Sequence, residues 1–361
     1  MRLVLAWFAL SFAAAEPETD AVETAALVYV RTDSDHTTVV SPRTRVRVPV
    51  GGERNHVDLV YAVDVWTSAS VDIRTAATGR VREQRDELVA GGDRTFAWGT
   101  AGLSYRFSHE PDYVSNAGSA FVKVEARQKT ITVDGRISGG HDVVGRSGDE
   151  QFGERIVHGS AYGGYTHILG RNTLAQVSVE GRVQHGFLSS PYRWVSLGRS
   201  ALCADSFGLC IPEVHPGQRL RLASVARLRR AFGPRWSSGA AYRFYADSWG
   251  VLGHTGRLDV RVVAHSNLML GLEARIHGQS GARFYRPIYG ESGAFFTRDR
   301  ELSTMWNARG GASAEATIPI LGATDLRVGA LLGGGMYRYP DFVGLDTVGV
   351  LEATVSLGVS L

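Results

Sequence analysis

The stretch "TLAQVSVEGRVQHGF", Thr173 to Phe187, alternates strictly between apolar and polar positions. Ala175, Val177, Val179, Gly181 and Val183 share one parity, and Gln176, Ser178, Glu180, Arg182 and Gln184 share the other. An extended strand sends successive side chains to opposite faces, so the segment has one oily face and one charged face. The pattern recurs in "NHVDLVYAVDVW", "TFAWGTAGLSYRF", "KTITVDGRISG", "GRLDVRVVAH", "NLMLGLEARIHG" and the C-terminal "LEATVSLGVSL". These runs exceed the roughly 5–6 residues of an ordinary globular strand. They match the roughly 9–11 residues that a tilted strand needs to cross the apolar layer of a membrane.

The connections between runs alternate in length. Short ones are expected at 50–55, 91–94, 127–128, 169–172, 232–236, 265–267 and 319–324. Longer ones are expected at 67–80, 108–116, 142–155, 187–217, 280–302 and 339–345. The pattern predicts an all-β fold, a single transmembrane antiparallel β-barrel with short periplasmic turns and longer extracellular loops. Counting 24–32 and 36–49 as the first pair gives about 16 strands, with 14 as the fallback; the weakest runs are these two and 81–91. Trp66, Phe107, Phe187, Phe232, Trp236, Trp249 and Tyr337 sit near proposed strand ends, where aromatic girdles meet the headgroups.

The oily face must meet lipid and the charged face the interior. The interior set predicted by parity includes Arg106, Asp134, Arg136, Glu180, Arg182, Arg243, Arg257, Asp259, Arg261, Glu273, Arg275, Arg309 and Glu315. One such arginine turned toward lipid at mid-membrane would cost roughly 2–4 kcal/mol. A slip of one residue would turn all of them outward, so the register is firmly set.

The start of the chain changes the setting. "MRLVLAWFALSFAAAE" has Arg2, an apolar run, and Ala13 and Ala15 before Glu16. This reads as a cleaved secretory signal peptide over 1–15, leaving 16–361 as the barrel. The apolar run is too short for a spanning helix, which needs about 20 residues. An exported barrel of this kind belongs in a bacterial outer membrane, contacting its lipid and lipopolysaccharide and delivered by the barrel-insertion machinery. Many bacterial barrels end in an aromatic residue that this machinery reads; here the last residue is Leu361.

Charge and composition add little. The formal net charge is +3 among 361 residues, too even to imply a nucleic-acid partner. Nearly all the basic charge is arginine, since lysine occurs only at Lys123 and Lys129. In an open barrel an arginine-rich lumen favours anions. Cys203 and Cys210, in an exported chain, predict a disulfide clamping the 187–217 loop.

Several stretches resemble a family of bacterial outer-membrane proteins designated domain of unknown function 3570. They are "YAVDVWTSASVD", "REQRDELVAGG", "SHEPDYVS" and "RQKTITVDG", in that order. Asp64, Ala69 and Ser70 match the family's first segment, and Glu110, Asp112, Tyr113 and Ser115 match its hairpin tip. The resemblance implies a barrel and no assigned activity.

Candidate chemistry is sparse. "DSDH" at 33–36 and the Glu110–Asp112 tip read as capped polar turns rather than metal sites. "LLGGGMY" lies in a strand and is no phosphate loop, and no cofactor motif occurs. His141, His185 and His277 fall near outer strand ends, with Ser280 just past His277, yet "GQSG" is not a nucleophile elbow. The leading expectation is a non-enzymatic, porin-like passive channel for small solutes, anions among them. A structural or surface-interaction barrel with the 187–217 loop plugging its lumen comes second, and a barrel hydrolase third.

Overall fold

A computed structural model describes residues 22–52, 54–68, 81–198, 203, 209–290, 293–320 and 324–360. The signal segment 1–15, Ala69, Ser70 and Leu361 lie outside these residues. The first nine strands are β1 (Glu23–Asp33), β2 (Thr37–Pro49), β3 (Asn55–Ser68), β4 (Val81–Phe96), β5 (Gly99–Glu110), β6 (Tyr113–Ala126), β7 (Ile131–Arg146), β8 (Asp149–Gly170) and β9 (Thr173–Gly186). A small hairpin follows, β10 (Trp194–Leu197) and β11 (Leu209–Pro212). The remainder are β12 (Gln218–Phe232), β13 (Trp236–Asp247), β14 (Leu252–His265), β15 (Leu268–Gln279), β16 (Met305–Pro319), β17 (Asp325–Arg338) and β18 (Thr347–Ser360), with one 3-10 turn at Arg300–Leu302.

All strands but β10 and β11 close into one antiparallel barrel of 16 strands, sealed where β1 pairs β18 from Glu23↔Ser360 to Asp33↔Val350. Closure removes every unpaired edge, which is what a sheet in lipid requires. The start of β1 and the end of β18 lie at one end. That end carries the tight turns, such as 171–172 and 266–267, and the opposite end carries the long 187–217 and 280–304 connections.

Three connections differ from the sequence reading. The expected loops at 108–116 and 142–155 are strand, with β5 meeting β6 through 111–112 and β7 meeting β8 through 147–148. Their alternation fades because both faces are wet once a strand leaves the apolar layer, while backbone pairing continues without it. The expected turn at 91–94 lies inside β4, and the chain reverses at 97–98. Gly91 marks a close approach rather than a turn, since a Cβ there would lie 2.9 Å from Ser104 Cβ.

Large apolar side chains stand exposed around the outside of the closed sheet, Leu103 at 68% and Leu272 at 66% among them. A water-soluble domain rarely leaves so extended an apolar surface bare, whereas a lipid-facing band is made of it. The opposite face is braced by ions. Arg229 on β12 reaches Asp259 on β14 at 2.6 Å, passing over β13 at Gly239. A Cβ on Gly239 would stand 2.5 Å from Asp259 Oδ1 and 2.8 Å from Arg229 Nη2, so only glycine leaves the pair room to meet. Arg309 on β16 pairs with Glu352 on β18 in the same manner, across β17.

At the long-loop end the connections fold together. Trp249, Val251, Ala282, Tyr285, Leu302, Tyr339, Phe342, Val348 and Val350 form one buried apolar cluster. Val348 and Val350 belong to the inner face of β18, so the loops pack into the barrel mouth rather than away from it.

Candidate functional site

The pairing register places Arg106, Asp134, Arg136, Glu180, Arg182, Arg243, Arg257, Asp259, Arg261, Glu273, Arg275, Arg309 and Glu315 on one face, opposite to the exposed aliphatics. Several are paired within it. Arg106 Nη1 donates to Glu87 Oε2 at 3.2 Å. Arg257 Nη2 donates to Glu273 Oε2 at 2.5 Å. Asp259 holds Arg229 and lies 3.8 Å from Arg261 Nε. Arg136 lies over the Phe121 ring at 5.5 Å and Arg243 over Tyr245 at 5.2 Å. Glu180, beside Tyr162 and Ala223 in register, stays exposed inside the barrel, and so do Arg45 and Arg227. Near the long-loop end the inward Ser68, Ser108, Ser115, Asp142 and His158 are buried.

The family-motif residues brace that buried end. Asp64 accepts from Arg85, and Ser115 Oγ accepts from Arg106 Nη2 at 3.2 Å. Glu110 faces Tyr113 in register, and Tyr113 donates its hydroxyl to Asp142, which lies 3.3 Å from His158 Nε2. Asp112 accepts from the Tyr192 hydroxyl, which in turn accepts from Ser147 N at 2.6 Å. Burial, aided by the Asp112 carboxylate, pushes the Tyr192 phenol up to about 12, so it keeps its proton. These contacts fasten the 187–217 connection to the rims of β5–β6 and β7–β8.

The same connection is latched to 280–304 through Glu213, whose side chain is fully buried. Its carboxylate takes Arg193 Nη1 at 3.3 Å, Thr297 Oγ1 at 2.6 Å and the Arg298 amide at 3.2 Å, with His215 Nε2 at 3.1 Å. Burial alone would raise this carboxyl; Arg193, His215 and Thr297 outweigh it and hold the group well below the usual carboxylate range. A short antiparallel bridge, Val214↔Phe296, runs alongside. Arg300 then reaches Asp35 at the β1–β2 tip at 2.6 Å, both buried. The loops thus span the mouth from the β5–β6 rim to the β1–β2 rim. Sequence reasoning missed Arg193, Glu213, Thr297 and Arg300, whose only visible signal was a lone acid inside the apolar "CIPEVHPG".

Other expectations resolve differently. Cys203 and Cys210 are free thiols, with Cys210 Sγ donating to the Cys203 carbonyl at 3.7 Å, so the predicted disulfide is not formed. Burial and the neighbouring thiol raise Cys203 to about 12, which leaves little thiolate to initiate exchange. Asp33 caps its own turn through the Asp35 and Thr37 amides at 3.1 and 2.9 Å. His277 Nδ1 meets Thr255 Oγ1 at 2.8 Å, while Ser280 Oγ accepts from Leu252 N at 2.9 Å, so the two do not form a base and nucleophile pair. His141 and His185 sit on the outer face of their strands and are exposed.

Glu301, in the 3-10 turn of the cap, gives the loops a pH response. Burial, then the Asp299 carboxylate, raise it from 4.5 to about 7 against Arg300. A raised acid stabilises the folded cap below its unfolded pKa, and that contribution is lost as pH rises through the folded value. Glu213 acts oppositely, losing its contribution only as pH falls below the usual range. Amide exchange in 280–304, divided by the intrinsic base-catalysed rate, is therefore expected to quicken as pH rises from about 4.5 through about 7. Glu301→Gln should flatten that rise; an unchanged rise would exclude Glu301 as its source.

Comparison with known proteins agrees with the architecture. A family model described as protein of unknown function (DUF3570) matches residues 75–331, more than half of the chain. No curated protein matches it in sequence. A bacterial polysaccharide outer membrane secretin is similar with a TM-score of 0.53 at 9% identity, over 94% of this chain and 98% of that one. CdiB from Acinetobacter baumannii is similar with a TM-score of 0.50 at 10% identity, over 93% of this chain and 60% of that one. OmpTdeltaL8, a loop-deletion mutant of an outer membrane protein of Vibrio cholerae, has a TM-score of 0.47 at 8% identity, over 93% and 98% of the two chains. At such identities the first two likenesses show a shared outer-membrane barrel fold.

Proposed function

Because the chain belongs to the DUF3570 family, described only as proteins of unknown function, we propose a role read from its own interior, a pathway for small polar solutes across the outer membrane. The observation that carries it is that Arg45, Glu180 and Arg227 point inward in a closed barrel and are nevertheless exposed. Charged side chains with accessible surface mean a hollow wide enough for water, as the geometry of a 16-strand barrel leads one to expect. The latched 187–217 and 280–304 loops act as the outer cover of that hollow, and passage requires them to shift. The reading is of a non-enzymatic barrel that contacts lipid and lipopolysaccharide along its apolar band.

The buried inward side chains at the long-loop end favour a second reading, a barrel filled at its mouth that serves as a structural or surface-interaction element. Planar-bilayer recordings separate the two. Discrete current steps are expected from the purified protein, and more often from a variant with the loops uncoupled. Silence from both forms, each verified as folded by heat-dependent gel migration, would leave the filled barrel.

A further inference from the structure

The wall built by β13 to β16 holds guanidinium groups in an arrangement that ion pairing within the barrel does not account for. Arg257, Arg275 and Arg309 stand directly opposite one another in register on three successive strands. Like charges so placed repel and destabilise a sheet. Two of them meet acids, Arg257 with Glu273 at 2.5 Å and Arg309 with Glu352. Arg275, half-buried between them, donates to Asn307 Oδ1 at 3.1 Å and meets no carboxylate among the described residues. On the next strand, Arg243 faces Thr255, which lies two residues from Arg257 on β14, and its guanidinium rests against the Tyr245 ring. It too meets no carboxylate among the described residues.

A guanidinium carries five donors in a rigid fork, and Asn307 takes one of those on Arg275. Two forks without acids, set beside two further arginines, form a pocket of positive potential in a confined space, where one small anion would satisfy donors and relieve repulsion together. We propose that the Arg243–Arg275 wall binds an oxyanion, the phosphate or carboxylate group of a small solute. This rests on the pathway reading above, since the ion must reach the interior. The inward position selects a dissolved solute over a lipid headgroup.

The test uses inorganic phosphate with the full-length protein folded in detergent, measured by calorimetry and by block of chloride current. Arg275→Gln and Arg243→Gln should each weaken phosphate binding by on the order of tenfold, the scale of a lost charge-assisted hydrogen bond. Arg275→Lys should fall between, keeping charge without the fork. Lys123→Gln, on the inner face of β6 and bridged to Glu125 at 3.3 Å, should leave binding unchanged. Equal weakening in the Lys123 variant, or phosphate binding insensitive to both arginine changes, would overturn the site. Chloride current without phosphate block or binding would remove the site and leave the pathway. Phosphate binding without any current would do the reverse.

Discussion

Leu272→Arg is expected to cost the barrel about 2–4 kcal/mol in urea unfolding from lipid vesicles, the price of a guanidinium at the depth of the bilayer midplane. Leu272 is 66% exposed on the outer face of β15, opposite Val260 and Ala312 in register. Among the described residues no acid shares that face nearby, and only hydrocarbon would surround the new charge. Thr354→Arg places the same side chain on the inner face of β18 and should cost clearly less. Equal losses from the two would mean that the faces had been assigned to the wrong media. The comparison is demanding because one residue of register exchanges the outcomes.

Glu213→Ala is expected to release the cap, with a loss of about 2–5 kcal/mol of local stability, the usual cost of leaving two buried donors without their acceptor. Arg193 keeps Asp299 at 3.2 Å, but Thr297 and the Arg298 amide lose their acceptor inside a dry cluster. Trypsin should then cut after Arg283 in the 280–304 connection, while the strands stay protected. Current steps should become more frequent in the same preparation. A cap as resistant as that of the unaltered protein would show that the apolar cluster around Trp249 and Tyr339, and not the ion pair, holds it shut.

The barrel was legible because its determinant is local. Alternation over a strand such as Thr173–Gly186 declares two faces, and the length of the run declares how much apolar layer it crosses. The tips were misread where that determinant ends. From 145 to 155 almost every side chain is polar or glycine, so side chains no longer distinguish a strand from a loop, and the 22-residue β8 is visible only through its pairing. The cap was hidden for a different reason. Glu213 meets Thr297 across 84 positions and Arg300 meets Asp35 across 265, separations at which one sequence carries no pairing signal. The cysteine expectation relied on closeness in the chain. What decides a disulfide is the path of the backbone between the two sulfurs, which spacing does not reveal.

An ion pair that leaps over one strand works as a stitch through three. The Arg229–Asp259 link above Gly239 ties β12 to β14, so sliding β13 against either neighbour would pull the stitched ends out of alignment. Placed at intervals around the wall, as with Arg309 and Glu352, such stitches turn a flexible tube into a stiffened hoop. A hoop of that kind keeps its girth while the loops above it move.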